Sequence, residues 1–353
     1  VPTLGLIRAC ADHREWSILR KTKGICASRS AVLGWGEGWC RPAASRPFLL
    51  RTEESFVPLL EVDDHQIHVI DRGSGEVVVF LHAFPLQAAM WDYQLDAFDA
   101  THRCLAIDLP GFGGSTPEPD PGTASMKHWS DLVVGVLDQL DVATATFVGC
   151  SMGGYLAMAV LRHHADRVER LVLCDTRARS DDAGTGARRS DQQQQVRGGA
   201  EIGTMAKGMV EGFLSSGSMA RPDLVTYVHA LADGGSPDGW IGALEAMKDR
   251  PDSMLLLRQA KLPALVVVGE LDRIAPIAEA MSLRRLLDGE LVVVPNVGHL
   301  PNLEDPLAFN EALAGFLGVT LDQGVEPMES DESDEAAAGD EAEATDAGDA
   351  GDR

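Results

Sequence analysis

From residue 56 to residue 318 the chain alternates two kinds of segment. The first kind is short and apolar at nearly every position: Val77–His82, Cys104–Ile107, Thr146–Val148, Leu171–Cys174, Ala264–Val268 and Leu291–Val294. Runs of that sort suit strands of a parallel sheet that is covered on both faces. The second kind places apolar residues every three or four positions, as in Met126–Leu140, Met152–His164 and Leu307–Leu317, and predicts helices between the strands. Ahead of them, Ser55–Val62 and Gln66–Asp71 read as a strand pair joined by the turn Asp63-Asp64-His65. Strand–helix alternation of this spacing predicts an α/β fold with a doubly wound, mostly parallel sheet.

The alternation fails once, between Arg177 and Lys261. No comparable strand run occurs there, but Glu201–Leu214 and Pro222–Ala232 have helical spacing, after a polar start that includes Gln192–Gln195. An insertion of this length between two core strands predicts a helical cap over one end of the sheet. The expected organisation is therefore a poorly structured extension at 1–55, a core at 56–176 and 262–318, a cap at 177–261 and a disordered tail at 319–353. The tail prediction rests on composition. From Asp322 onward there are 13 acidic residues and one base, and such a segment buries too little apolar surface to offset its ordering entropy.

Composition narrows the function classes. The 353 residues carry a formal charge of −24, which disfavours nucleic acid and anionic membranes as partners. No apolar run approaches the roughly 20 residues that span a bilayer. Of the six cysteines, Cys104, Cys150 and Cys174 fall in or beside strand-like runs, where a thiol behaves as a small buried hydrophobe. No CxxC pair signals a zinc or redox site. A reduced, cytoplasmic setting is the corresponding expectation.

The chemistry-bearing signal is Gly149-Cys150-Ser151-Met152-Gly153, between a predicted strand and a predicted helix. In that context G-x-S-x-G is a nucleophile elbow that exposes the serine hydroxyl. The residues two before and two after the serine crowd each other, so glycine fits where a Cβ would clash. A serine needs a base. His299 follows the last strand run through Pro295-Asn296-Val297-Gly298, at the sheet edge that parallel strands share with the elbow. An acid must orient the imidazole. Asp272, in the loop after Ala264–Val268, fits the order Ser, Asp, His; Glu270 and Asp175 are the rival carboxylates. Oxyanion donors are expected from the backbone of Met152 and from the loop His82-Ala83-Phe84-Pro85, where Pro85 has no N–H and Phe84 is left as the donor.

The set His82–Pro85, Asp108-Leu109-Pro110-Gly111-Phe112-Gly113-Gly114-Ser115, the Ser151 elbow, Gly269–Asp272 and Gly298-His299 resembles the α/β-hydrolase superfamily, in particular its small carboxylesterase, enol-lactonase and perhydrolase branch. The resemblance covers about residues 56–318. It departs from the usual pattern at Ala83, where glycine is common, which bears on the placement of Phe84. Serine in the elbow separates the chain from haloalkane dehalogenases and epoxide hydrolases, which use aspartate there.

The resemblance implies a serine hydrolase acting on a small ester. Ser151 attacks, His299 moves the proton, Phe84 and Met152 hold the oxyanion, and water releases the acid. No cofactor or metal is expected. A lactonase or a carbon–carbon bond hydrolase with the same residues, and a non-catalytic receptor on the same fold, are the alternatives. Met205, Met209, Phe213 and Trp240 are candidates for an apolar pocket or for plain packing of the cap.

Overall fold

The computed structural model describes residues 59–321. The expectations for 1–55, for the start of the first strand run at Ser55–Pro58, and for the tail from Asp322 onward lie outside the described residues. The tail expectation was drawn from 319, yet Val319 and Leu321 pack against the hydrophobic core, because the acidic composition begins only after them.

Nine strands occur among the described residues. β1 (Leu60–Val62) and β2 (His65–Ile67) form a separate antiparallel hairpin. The remaining strands are β3 (Val69–Gly73), β4 (Val77–Leu81), β5 (Arg103–Ile107), β6 (Ala145–Cys150), β7 (Val168–Cys174), β8 (Ala264–Gly269) and β9 (Glu290–Val294). They form one sheet in the order β3-β5-β4-β6-β7-β8-β9. Only β3 runs antiparallel to its neighbour; the other pairs are parallel. Every residue of β6 and β8 is buried, as their unbroken apolar runs require of strands covered on both faces.

The N-terminal hairpin corrects one expectation. The turn holds only Asp63 and Asp64, with Asp63 at φ 50°, and His65 belongs to β2. The segment predicted as one strand from Gln66 is broken at His68, where the chain leaves the hairpin and enters the main sheet as β3.

Helices α1 (Asp92–Phe98), α2 (Met126–Gln139) and α3 (Met152–His163) flank the first half of the sheet. Between β7 and β8 lie six helices: α4 (Ala183–Arg197), α5 (Ile202–Glu211), α6 (Ser216–Met219), α7 (Pro222–Ala232), α8 (Pro237–Lys248) and α9 (Met254–Gln259). α10 (Ile277–Leu287), α11 (Pro301–Glu304) and α12 (Pro306–Leu317) follow β8 among the described residues. α4 has no sequence signature because it buries just two side chains, Gln193 and Val196. Gln193 is satisfied there by the Ile241 carbonyl at 3.0 Å and by Glu245 at 2.8 Å, so a polar residue occupies a position that a periodicity reading reserves for an apolar one.

The helices between β7 and β8 meet the core through backbone contact. Ser236 N–H donates to the Gly111 carbonyl at 2.8 Å, and Gly113 N–H to that of Gly234 at 2.9 Å. A Cβ on Gly111 would lie 2.3 Å from Gly239 Cα, so this seam needs bare glycines. β4 has β5 on one side and β6 on the other, which makes the gap between β4 and β6 the point where strand order reverses. Clefts in open α/β sheets form at such points, outside the strand C-termini.

Candidate active site

The elbow is built at that gap. Ser151 adopts φ 52°, ψ −109°, a strained conformation for a residue with a Cβ. Its N–H donates to the Cys174 carbonyl at 2.9 Å, and its own carbonyl accepts from Thr176 Oγ1 at 2.8 Å. Both anchors come from the end of β7, so the neighbouring strand holds the strained turn. A Cβ on Gly149 would stand 2.3 Å from the Gly153 carbonyl oxygen, and one on Gly153 would stand 2.0 Å from that of Leu81. Those missing atoms let α3 start hard against the end of β4, which brings Met152 beside the loop His82–Pro85.

His299 comes to the same place from β9. Its Nε2 lies 3.0 Å from Ser151 Oγ and its Nδ1 lies 2.8 Å from Asp272 Oδ2. The imidazole is 1 % exposed, and Phe213 packs on it with ring centroids 5.2 Å apart. Asp272 also accepts from the N–H groups of Ile274 at 2.7 Å and Ala275 at 3.2 Å. Burial works to raise the Asp272 carboxyl, but the hydrogen bond from His299, the electrostatic attraction between the two groups and the Ile274 N–H outweigh it and hold the carboxyl below the usual carboxylate range. An ionised carboxylate there keeps the Nδ1 proton in place and leaves Nε2 free to take a proton from the serine.

The two rival carboxylates have other surroundings. Glu270 turns outward and accepts from Asn296 N–H at 3.0 Å. Asp175 is closer: one oxygen each from Asp175 and Asp272 and one His299 nitrogen all lie within 4.8 Å of one another. Asp175 Oδ1 accepts from Gly269 N–H at 2.9 Å, while Oδ2 is buried without a partner. Burial and the adjacent Asp272 charge push its carboxyl well above the usual range. The two neighbouring carboxyls are thus shifted in opposite directions, Asp175 upward and Asp272 downward.

On the opposite side, Phe84 closes the loop after β4 and is 5 % exposed. His82 fixes that loop. Its Nε2 accepts from Leu109 N–H at 3.0 Å, so its Nδ1 carries the proton and donates to the Ala83 carbonyl at 3.0 Å. Complete burial holds His82 below the ordinary histidine value. The Asp108 carboxylate accepts from Ala88 N–H at 2.6 Å and Gly114 N–H at 2.9 Å, which links this loop to the Asp108–Ser115 segment. Phe84 meets Trp240 edge-on at 4.8 Å and Phe112 at 6.0 Å. Trp240 and Phe213 therefore stand against site residues. Met205 and Met209 are partly buried against the hydrophobic core instead.

Residues 78–312 match the Alpha/beta hydrolase family. The chain belongs to the α/β hydrolases. A 3-oxoadipate enol-lactonase of Acinetobacter baylyi is 26 % identical to it over 73 % of this chain and 95 % of its own. A 2-hydroxy-6-oxononadienedioate/2-hydroxy-6-oxononatrienedioate hydrolase of Paraburkholderia phymatum is 30 % identical over 72 % and 91 %. Among solved structures, a thermophilic esterase from Thermogutta terrifontis superposes with a TM-score of 0.70 at 31 % identity, over 74 % of this chain and 97 % of that one.

One important residue of this hydrolase escaped the sequence reading. Glu304, 4 % exposed, accepts from Gly298 N–H at 2.9 Å and Leu300 N–H at 3.2 Å through Oε1, and from Ser215 N–H at 2.8 Å through Oε2. His299 N–H in turn donates to the Phe213 carbonyl at 2.7 Å. One carboxylate thereby clamps the histidine loop to the segment between α5 and α6. The signal available in sequence was an acid five residues after His299, indistinguishable from an ordinary first-turn glutamate.

Proposed function

We propose that this hydrolase cleaves small carboxylic esters through an acyl-enzyme on Ser151, with His299 as base and Asp272 as the acid that orients it. The observation that carries the reading is the continuous relay of 3.0 Å from Ser151 Oγ to His299 Nε2 and 2.8 Å from His299 Nδ1 to Asp272. His299 takes the serine proton as Oγ adds to the ester carbonyl, and the backbone N–H groups of Phe84 and Met152 receive the oxyanion. The imidazolium then protonates the leaving alkoxide. Water, deprotonated by the same imidazole, releases the acid and restores the serine. The aromatic neighbours Phe84, Trp240, Phe112 and Phe213 favour an apolar acyl group over a charged one.

A lactone is a cyclic ester and opens by the same steps, and the Acinetobacter relative is named for an enol-lactone. Lactones are therefore the second substrate class to try. The test is hydrolysis of p-nitrophenyl esters of graded acyl length beside lactones and vinylogous diketones, with wild type and Ser151→Ala. Rapid turnover of short esters that disappears in the variant supports the reading. Equal turnover by both proteins, or a fluorophosphonate that leaves Ser151 unlabelled, overturns it.

A further inference from the structure

A second group of metal-competent side chains lies away from Ser151. His65 on β2, Glu118 in the loop after β5 and His128 on α2 each present one donor atom, and the three atoms lie within 4.8 Å of one another. His65 Nε2 is 3.0 Å from Glu118 Oε2, and His128 Nε2 is 3.5 Å from that same oxygen. Tetrahedral zinc, with bonds of about 2.0–2.2 Å, sets its donor atoms roughly 3.3–3.5 Å apart. Two edges of the triangle therefore already have about the length that coordination demands.

Two further features point the same way. Glu118 Oε1 accepts from Trp129 Nε1 at 2.7 Å, which orients the carboxylate from outside and leaves Oε2 to face both imidazoles, as the outer partner of a metal ligand does. The His128 side chain is 35 % exposed, which opens a fourth position to water. Two imidazole nitrogens and one carboxylate oxygen suit a borderline transition ion. Magnesium and calcium take all-oxygen shells.

We propose that His65, Glu118 and His128 form a binding site for a divalent transition-metal ion of the zinc type, completed by water. The site is independent of the Ser151 reading. Its ion ties the two-stranded hairpin, too small to be stable alone, to the Asp108–Glu118 segment and to α2. His65 and Glu118 are 53 positions apart, and clips across long loops stabilise most.

The test uses the full chain, stripped with chelator and titrated with ZnCl2 in a calorimeter. His128→Ala removes a half-exposed ligand, and Glu118→Gln keeps an acceptor for Trp129 while losing the anionic donor. The expected result is one equivalent of tight Zn2+ present in wild type and missing from both variants. At a hundredfold excess over Kd, Zn2+ raises the wild-type Tm by roughly 5–10 °C, and Mg2+ and Ca2+ do not. Co2+ gives the intense visible bands of a four-coordinate centre in wild type only. Equal Zn2+ stoichiometry in wild type and both variants overturns the proposal, as does the absence of saturable binding. Zn2+ that blocks ester turnover equally in all three proteins, with no equivalent lost in the variants, assigns the ion to Asp175, Asp272 and His299 instead and also overturns it.

Discussion

Among the described residues, two imidazole–carboxylate pairs of nearly equal length are buried. His299 meets Asp272 at 2.8 Å and His65 meets Glu118 at 3.0 Å. They differ at the second nitrogen of each ring. His299 Nε2 faces a serine hydroxyl on a strained turn, whereas His65 Nδ1 faces nothing that accepts or donates. They differ again at the carboxylate: Asp272 takes two backbone N–H groups beside its histidine, and Glu118 takes an indole and lies beside a second imidazole. A histidine held by an acid is therefore not in itself a catalytic device. What surrounds the pair differs: a hydroxyl stands at the far nitrogen of His299, whereas a second imidazole stands beside the carboxylate of Glu118.

Each side of that contrast can be broken separately. The largest effect is expected from Ser151→Ala, which removes the hydroxyl from the far nitrogen of His299 and should lower kcat for a short ester by roughly 10⁴–10⁶-fold while leaving Tm near wild type. Asp272→Asn keeps the shape but not the charge, lets the imidazole turn to the wrong tautomer, and should lower kcat by about 10³–10⁴-fold. Glu304→Gln sets an amide N–H against backbone N–H donors. It should destabilise by about 1–3 kcal/mol in thermal melts and, by displacing His299, reduce kcat/KM roughly tenfold.

Asp175→Asn tests the neutral acid behind the pair, and its sign follows from linkage. The folded carboxyl holds its proton above the usual range, while the unfolded one releases it near about 3.9. Between those values the unfolded state binds fewer protons, so wild-type stability falls as pH rises. An amide does not titrate and keeps the acceptor for Gly269. The variant should melt above wild type at pH 8, with the gap closing as pH falls towards 4. A gap that is the same at both pH values would contradict a protonated Asp175. The smallest effect on turnover is expected from Glu118→Gln, which should leave kcat/KM within about threefold of wild type in metal-free buffer because that pair touches no reacting atom.

Much of the architecture was legible from local pattern because parallel strands buried on both faces leave a continuous apolar run, as β4, β8 and the Leu171–Cys174 part of β7 do. The elbow was legible because a tight strand-to-helix turn demands glycine at positions 149 and 153, which local sequence displays. Helix α4 was not, since one of its two buried positions is filled by a hydrogen-bonded glutamine rather than by an apolar residue. Glu304 was not, because its three partners come from a loop before it and from Ser215, 89 positions away.

The sequence alone determined the α/β class, the serine at the turn and the short field of acids and histidines that could serve it. The tertiary structure decided which acid meets the imidazole. Asp272, Glu270 and Asp175 are all carboxylates near strand ends, and only folding turns Glu270 outward, buries Asp175 behind the pair and sets Asp272 against the imidazole. The same holds for His65, Glu118 and His128, which belong to separate elements and carry no shared spacing. Distance along a chain is read locally, but the surroundings that fix a charge or gather a set of ligands exist only after the elements pack.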